Sequence, residues 1–317
     1  MHEQVLTPAK RPTHPAVLAL AGRFGKYKPE EEKEVRKIDV KEDKVLKQLK
    51  AAWRKFKHIG PPNLRRIEEI YEYPYRHALK QVKGIRYSAR DVESFTLALI
   101  GFQREKNFSE KAGYFLSALI NNCRDTDYVV HTQHLVKEIN YLGFKNTKNV
   151  VVNGNIGHSI GKCMKRGSIT LNCDVGERVG WDMKGGTITV NGNADVELGC
   201  GMEGGTIIVN GNAGYSLGFA MRGGIIILNG NADSRVGEGM EGGTIVVNGN
   251  VDWQVGDGMH SGTITVNGHA GEKVGQCMNG GEIHLNGDYE SLAAPEDIFC
   301  GKIFHKGKRI VNKKEKH

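Results

Sequence analysis

The segment Thr187–Gly205 reads TITVNGNADVELGCGMEGG, and Thr206–Gly224 follows it with TIIVNGNAGYSLGFAMRGG. Three residue types keep this spacing of nineteen residues over seven or eight copies. The asparagines are Asn153, Asn172, Asn191, Asn210, Asn229, Asn248, Asn267 and Asn286. The methionines are Met164, Met183, Met202, Met221, Met240, Met259 and Met278, and the glycines are Gly161, Gly180, Gly199, Gly218, Gly237, Gly256 and Gly275. A period held by three residue types predicts units that stack on one another.

Each unit combines a β-branched run such as Ile188-Thr189-Val190, the turn dipeptide Asn191-Gly192 and a second apolar pair at Val196 and Leu198. Short strands between turn residues leave no room for a helix. Because one unit cannot bury its apolar face alone, we expect about eight coils of a right-handed parallel β-helix, rising roughly 4.8 Å per coil. The asparagines should form an amide ladder, and the glycines should form tight corners.

Three coils carry the complete pattern G-x-x-G-x-x-x-G, at Gly154/Gly157/Gly161, Gly211/Gly214/Gly218 and Gly268/Gly271/Gly275, each followed by M-x-x-G or M-x-G-G. In three other coils an aspartate replaces the middle glycine, and Cys173 replaces the first glycine of the second coil. The pattern resembles the glycine-repeat β-helix domain found in the glutamate synthase large subunit and in one of the subunits of formylmethanofuran dehydrogenase. The resemblance implies a scaffold rather than an active site in this half, and the second relative favours an archaeal source. The first half resembles no family that we recognise.

Charge divides the chain into three parts. Residues 1–150 contain 29 Lys+Arg and 18 Asp+Glu, residues 151–301 contain 8 and 17, and residues 302–317 contain 7 and 1. We therefore predict an α+β multidomain protein with a basic helical domain at 1–147, the glycine-rich β-helix at 148–301 and a basic, unfolded tail at 302–317. The helical domain should begin with an extended, proline-bearing lead.

Five helical stretches are predicted in the first domain. They run over residues 30–58, from 64 towards 82 with a break near Pro74, and over 92–105, 109–122 and 127–141. The last of them precedes the first coil with almost no linker. We expect this helix to cover the open end of the solenoid, whose strand edge would otherwise be unpaired.

The helix over residues 30–58 carries a single-signed stripe, since no acidic residue lies between Lys44 and Lys57. A solvated helix face is one interpretation, and phosphate-backbone binding, with Trp53 and Phe56 alongside, is the other. The basic tail is either a solubility tail or an accessory nucleic-acid arm. The candidate nucleic-acid-binding residues are Lys44, Lys47, Lys50, Arg54, Lys55, Lys57, Arg65, Arg66, Lys306, Lys308, Arg309, Lys313 and Lys314.

Other chemistry is not indicated by the residue pattern. His131 and His134 have no nearby acidic or cysteine partner for a metal, and Cys163 and Cys277 occupy one repeat position six coils apart. Glu203 and Glu241 are two coils apart and suit a charged surface better than an acid–base pair. No nucleophile–base pair or phosphate loop is present, so we expect no catalysis and no cofactor. We expect neither a signal peptide nor a membrane span, since no apolar stretch of the required length occurs, and this favours the cytoplasm.

These patterns predict a non-catalytic protein that docks on RNA or on a ribonucleoprotein surface such as the ribosome. The stripe and the tail would bind the polyanion, while the β-helix would serve as a rigid module for assembly or for an isologous homodimer. The alternative follows from the resemblance. In that case the protein is a scaffold subunit of a glutamate synthase-like or formylmethanofuran dehydrogenase-like oxidoreductase complex, and its basic half meets acidic protein subunits.

Overall fold

A computed structural model of the chain describes residues 43–57 and 67–313, without the side chains at 67 and 68. The predicted proline-bearing lead, the first part of the 30–58 helix, and Arg65, Arg66 and Lys314 lie outside the described residues. Among the residues described, no helix is both long enough and apolar enough to cross a bilayer.

The described chain forms four α-helices followed by fourteen strands. The helices are α1 (Lys44–Lys55), α2 (Ile67–Val82), α3 (Ala89–Ala98) and α4 (Phe108–Asn122), with a 3-10 turn at Leu99–Phe102. The strands are β1 (Asp127–His131), β2 (Asn149–Asn153), β3 (Ser168–Leu171), β4 (Thr187–Val190), β5 (Thr206–Val209), β6 (Ile225–Leu228), β7 (Ala232–Ser234), β8 (Thr244–Val247), β9 (Val251–Trp253), β10 (Thr263–Val266), β11 (Ala270–Glu272), β12 (Asn279–Leu285), β13 (Cys300–His305) and β14 (Lys308–Lys313).

The main sheet confirms the predicted parallel solenoid. Its order is β1-β2-β3-β4-β5-β6-β8-β10-β12-β13-β14, and every pair up to β12–β13 is parallel. Along the repeat, each residue pairs with the residue nineteen positions later, as Ile188 does with Ile207. Strands β7, β9 and β11 form a second parallel sheet on another side of the coils. The nineteen-residue period therefore corresponds to one turn of the solenoid.

The asparagines of the repeat form the predicted ladder. The side chain of Asn172 donates from Nδ2 to Oδ1 of Asn153 over 3.0 Å, and the same bond recurs between consecutive asparagines up to Asn286, at 2.7–2.8 Å. Each amide in the middle of the ladder donates to the preceding coil and accepts from the following one. The ladder thus satisfies polar groups that follow every sheet strand.

The glycine corner is set by packing as well as by backbone conformation. Gly180 has φ +72°, and a Cβ added there would lie 2.4 Å from Cδ1 of Ile207. Two residues later, Asp182 has φ +53° and nevertheless carries a side chain. A left-handed conformation alone costs roughly 1–2 kcal/mol in a residue with a Cβ. The isoleucine of a neighbouring coil is therefore what restricts the first position to glycine.

Two of the predicted helices form but differ from prediction in where they break or end. Helix α2 continues through Pro74 instead of breaking there, and α3 ends at Ala98 before a 3-10 turn. Pro74 is buried and α2 packs along α4, so tertiary contacts outweigh the main-chain hydrogen bond that proline removes. Ser88 is the N-cap of α3 and forms a capping box with Asp91.

The predicted helix at 127–141 is wrong, because residues 127–131 form strand β1. Tyr128 and Val130 are buried while their neighbours are more exposed, which is the alternation of a strand. Strand β1 pairs in parallel with β2 and adds a coil before the predicted start at residue 148. Pairing with β2 satisfies main-chain groups that a helix would have left unpaired at the end of the sheet. Helix α3, rather than the predicted helix, packs on β1.

The predicted unfolded tail is also wrong for residues 302–313. Strand β13 continues the parallel sheet, and β14 returns antiparallel to it. The two strands are joined at Lys306 and Gly307, both with positive φ, as a tight hairpin turn requires. The ring of Phe304 stacks on His284 of the preceding strand, with centroids 4.6 Å apart. Pairing of β13 with β12 and of β14 with β13 therefore orders a segment whose charge alone suggested disorder.

One cluster of buried apolar side chains extends from Leu49 in α1 to Ile303 in β13. The helices and the solenoid therefore share a continuous core. The predicted boundary between residues 147 and 148 falls just before β2, between two paired strands of the same sheet.

Candidate functional site

Helix α1 presents the predicted stripe to solvent. The side chain of Asp43 accepts from the backbone N–H of Val45 and caps the helix. The exposed cations are Lys44, Lys47, Arg54, Lys55 and Lys57, and Lys50 is half-buried. Within the described residues, the ion pairs of the helical region do not involve Lys44, Lys47, Lys55 or Lys57. This face therefore retains most of its positive charge.

The aromatic residues of the stripe are not available for stacking on nucleobases. Trp53 and Phe56 are fully buried, and the Trp53 ring lies 5.3–6.2 Å from four phenylalanine rings of the core. The indole N–H donates to Glu105 over 3.0 Å. The prediction that these rings assist nucleic-acid binding is therefore wrong, because the amphipathic helix turns its apolar side inward.

A groove of about 630 Å³ runs between α1 and the end of α2, and we call it the α1–α2 groove. Its cations are Lys55, Lys80 and Arg86, all exposed, and its polar neutral side chains are Gln48 and Gln81. No acidic side chain lines the groove among the described residues. The sequence pattern adds Arg86 to the basic stripe but does not single out Lys80, which only the fold brings beside α1.

The candidates in the tail form a separate group at the far end of the sheet. Lys306 pairs with Asp288 at 2.8 Å, and the resulting hydrogen bond lowers the pKa of that carboxyl. Lys313 donates to the carbonyl of Pro295 over 3.0 Å, while Lys308 and Arg309 are exposed. Ten strand spacings of roughly 4.8 Å, about 48 Å in all, separate β1 from β14. The stripe and the tail therefore do not meet in one site.

The residues set aside by sequence analysis lie in structural roles. Glu203 pairs with Lys184 and Glu241 with Arg222, each at 3.2 Å on the surface. His131 contacts Glu93 at 2.9 Å, so the expectation that it has no nearby acidic partner is wrong, because α3 packs on β1 and brings Glu93 beside it. In the described part of the chain, no group of histidine, cysteine and acidic side chains has the arrangement of a metal site.

A second cavity of about 260 Å³ lies where α2 meets two adjacent coils, and we call it the junction pocket. Tyr71 contributes one wall from α2, Phe144 lies at the first corner, and Cys163 and Trp181 come from successive coils. The positions of Phe144, Cys163 and Trp181 follow from the stacking of the coils. The pocket requires α2 as its remaining side.

Two ion pairs organise the polar side of the junction pocket. Nζ of Lys162 lies 3.0 Å from Oδ2 of Asp182, 3.1 Å from the centroid of Trp181 and 4.4 Å from that of Tyr71. Only 3% of the Lys162 side chain is exposed, and this burial lowers its pKa although Asp182 opposes the shift. Lys145 donates a hydrogen bond to Glu72 at the opposite side of the pocket.

Sequence reasoning missed the junction pocket. Lys162 and Trp181 occupy the same repeat position, which the next two coils fill with Cys200 and Phe219. A lysine and a tryptophan in consecutive coils at one position bring a cation beside a ring, and that spacing was the available signal. The contribution of Tyr71 could not be predicted from the sequence, because Tyr71 lies outside the repeat.

Comparison with known families gives one match. The family model described as "GXGXG motif" matches residues 102–292. No curated protein matches the chain. The match includes α4 and the coils up to the turn after β12, so the family relationship concerns the solenoid and the helix at its beginning.

Proposed function

The chain belongs to the GXGXG motif family, and from that premise we propose that it is a non-catalytic docking scaffold whose helical region binds RNA. The observation that carries the proposal is the α1–α2 groove. Three exposed cations line it without an acidic side chain among the described residues, and the stripe on α1 continues from one of its walls. A phosphate backbone in this groove would relieve the repulsion between these cations and release counterions.

The solenoid would act as a rigid arm of this scaffold. Its strands pair from coil to coil, and the asparagine ladder joins the same coils through side chains. A repeating flat face also suits a homodimer in which identical surfaces meet. A cytoplasmic location belongs to the same proposal, and the six cysteines are all unpaired.

Salt dependence of RNA binding tests the proposal. Anisotropy titrations of a labelled single-stranded RNA should give an affinity that falls steeply with salt, with a log–log slope of about −0.7 per phosphate contact. The triple variant Lys55→Gln/Lys80→Gln/Arg86→Gln should reduce the magnitude of this slope by about 2. The control variant Arg166→Gln/Arg222→Gln/Lys273→Gln removes the same charge from the solenoid and should retain the slope of the parent protein.

Two results would contradict RNA docking through the groove. One is an affinity that does not change between low and physiological salt. The other is an equal loss of binding in the groove variant and the solenoid control, since this would mean that net charge alone attracts RNA. Capture of partners from lysate with and without nuclease treatment then asks whether the contacts depend on RNA.

The family relationship favours a second candidate. The solenoid is a glycine-repeat domain as in glutamate synthase-like proteins, and in this second proposal the protein serves as a scaffold subunit of an oxidoreductase complex. The basic groove would then meet an acidic surface of another subunit. Copurification of flavin or iron–sulfur subunits that survives nuclease treatment would support this candidate over RNA docking.

A further inference from the structure

The junction pocket differs from the α1–α2 groove because aromatic side chains line it together with cations. Tyr71, Phe144 and Trp181 provide aromatic surface on the inner side. A small hydrated inorganic ion would lose water against these rings without replacement, whereas an apolar group would gain from burial there. The inner wall therefore favours a ligand with an apolar body.

The charge of the pocket favours an anion. Four lysines line it, at 145, 162, 165 and 184, against the two carboxylates of Glu72 and Asp182. Lys145 and Lys162 are engaged with these two carboxylates, and Lys184 pairs with Glu203 outside the lining. Lys165 is exposed, and no ion pair involves it among the described residues. An uncompensated cation thus lies on the side of the pocket that meets solvent.

The buried lysine makes the pocket a preformed site. Lys162 is held between the rings of Trp181 and Tyr71 and by Asp182, so its position is determined by contacts on several sides. Asp182 balances the charge of Lys162, so this pair fixes the aromatic wall and leaves Lys165 as the cation available to an anion.

We propose that the junction pocket binds a small organic anion, a carboxylate with a compact apolar body. The carboxylate would lie beside Lys165 at the solvent side, and the apolar body would contact Phe144 and Trp181. The site joins α2 to two coils, so an occupied pocket would also strengthen the contact between the helical region and the solenoid. This inference does not depend on RNA docking, since the two cavities share no lining residue.

Benzoate is a suitable probe, with its neutral isostere benzamide and inorganic phosphate as comparison ligands. Ligand-observed NMR titration of the full chain should show benzoate binding with a Kd of about 1 mM, typical of a ligand of this size. Benzamide and phosphate should each bind at least about fivefold more weakly. Lys165→Gln should weaken benzoate binding by about threefold to tenfold. The neighbouring Arg166→Gln, whose side chain does not line the pocket, should leave it unchanged.

Cysteine alkylation locates the binding site. Cys163 lines the pocket, and Cys277 occupies the equivalent position six coils later, with nearly the same φ and similar partial burial. Benzoate should slow alkylation of Cys163 by iodoacetamide and leave Cys277 unaffected, as measured by mass spectrometry. Equal protection of both cysteines, equal binding of benzoate and benzamide, or no loss of affinity in Lys165→Gln would each overturn the proposal. Absence of benzoate binding up to about 20 mM would do so as well.

Discussion

Asn191 donates from its side-chain Nδ2 to Oδ1 of Asn172 over 2.7 Å, and the two residues are one period apart in the sequence. The same donor and acceptor atoms meet between every pair of consecutive asparagines from Asn153 to Asn286. One repeated sequence position therefore produces a continuous line of hydrogen bonds along the solenoid. The contribution of this ladder to the stability of the protein can be tested by a substitution in a single coil.

Replacing Asn210 by alanine removes one donor and one acceptor from the middle of the ladder. Asn210 donates to Asn191 and accepts from Asn229, each over 2.8 Å. We expect a loss of about 1–2 kcal/mol in the free energy of unfolding, measured by urea denaturation, because two bonds are lost. Asp195→Ala, at an exposed position of the same solenoid, is the control and should change stability by less than about 0.5 kcal/mol. Equal effects would contradict a stabilising role for the ladder.

Two glycines of one corner should respond differently to alanine. A Cβ on Gly237 would lie 2.4 Å from Cδ1 of Ile264, whereas a Cβ on Gly239 would meet nothing within 4 Å, although both have positive φ. Gly239→Ala should cost about 1 kcal/mol from backbone strain alone. Gly237→Ala should cost about 3 kcal/mol or more, since overpacking adds to the strain. Thermal and urea unfolding of the two variants measure this difference, and similar losses would refute the packing explanation.

The pairing of Glu72 with Lys145 should make stability depend on acid pH. Burial raises the pKa of Glu72, but hydrogen bonds and charge from Lys145 and Arg76 bring it below its ordinary value of 4.5. The charged pair therefore stabilises the fold above about pH 4.5, and this contribution disappears as pH falls through the folded-state pKa. Glu72→Gln should lose about 1 kcal/mol at pH 7 and approach the parent protein in acid.

Urea denaturation of the parent protein and of Glu72→Gln at several pH values between about 7 and about 3 checks this expectation. Glu69→Gln, an exposed position on the same helix, is the matched control. A stability difference between Glu72→Gln and the parent that stays constant down to acid pH would show that the carboxylate is not stabilised by its partners.

Strand β14 should protect the end of the sheet. It pairs antiparallel with β13 and carries Lys308, Arg309 and Lys313, charges of the kind that discourage edge-to-edge association. A chain ending at Gly307 would leave β13 as the edge, and we expect concentration-dependent self-association in sedimentation velocity. Removal of residues 314–317 alone is the control and should not change the sedimentation of the protein. A truncated chain that sediments like this control at all concentrations would argue against an edge-protecting role.

Residues outside the repeat are harder to predict because their conformation depends on what packs beside them. Residues 127–131 are predicted as the start of a helix, although Tyr128 and the two valines after it favour a strand. The open main-chain groups of β2 pair with them and select the strand. Lys308 and Arg309 suggest an unfolded tail, whereas pairing with β13 orders them. Trp53 lies in a basic stretch of sequence, although the phenylalanines that enclose it come from α3, α4 and the turn between them.

The amino-acid sequence alone was sufficient to determine the parallel solenoid, its period and the asparagine ladder. The reason is that identical coils place identical residues in identical surroundings, so each position is specified many times over. The tertiary structure alone decided how the solenoid ends and where its cavities lie. The α1–α2 groove contains Lys55 and Arg86, and the junction pocket contains Tyr71 and Lys162. The residues of each pair come from elements that share no sequence repeat, so only packing in three dimensions brings them together.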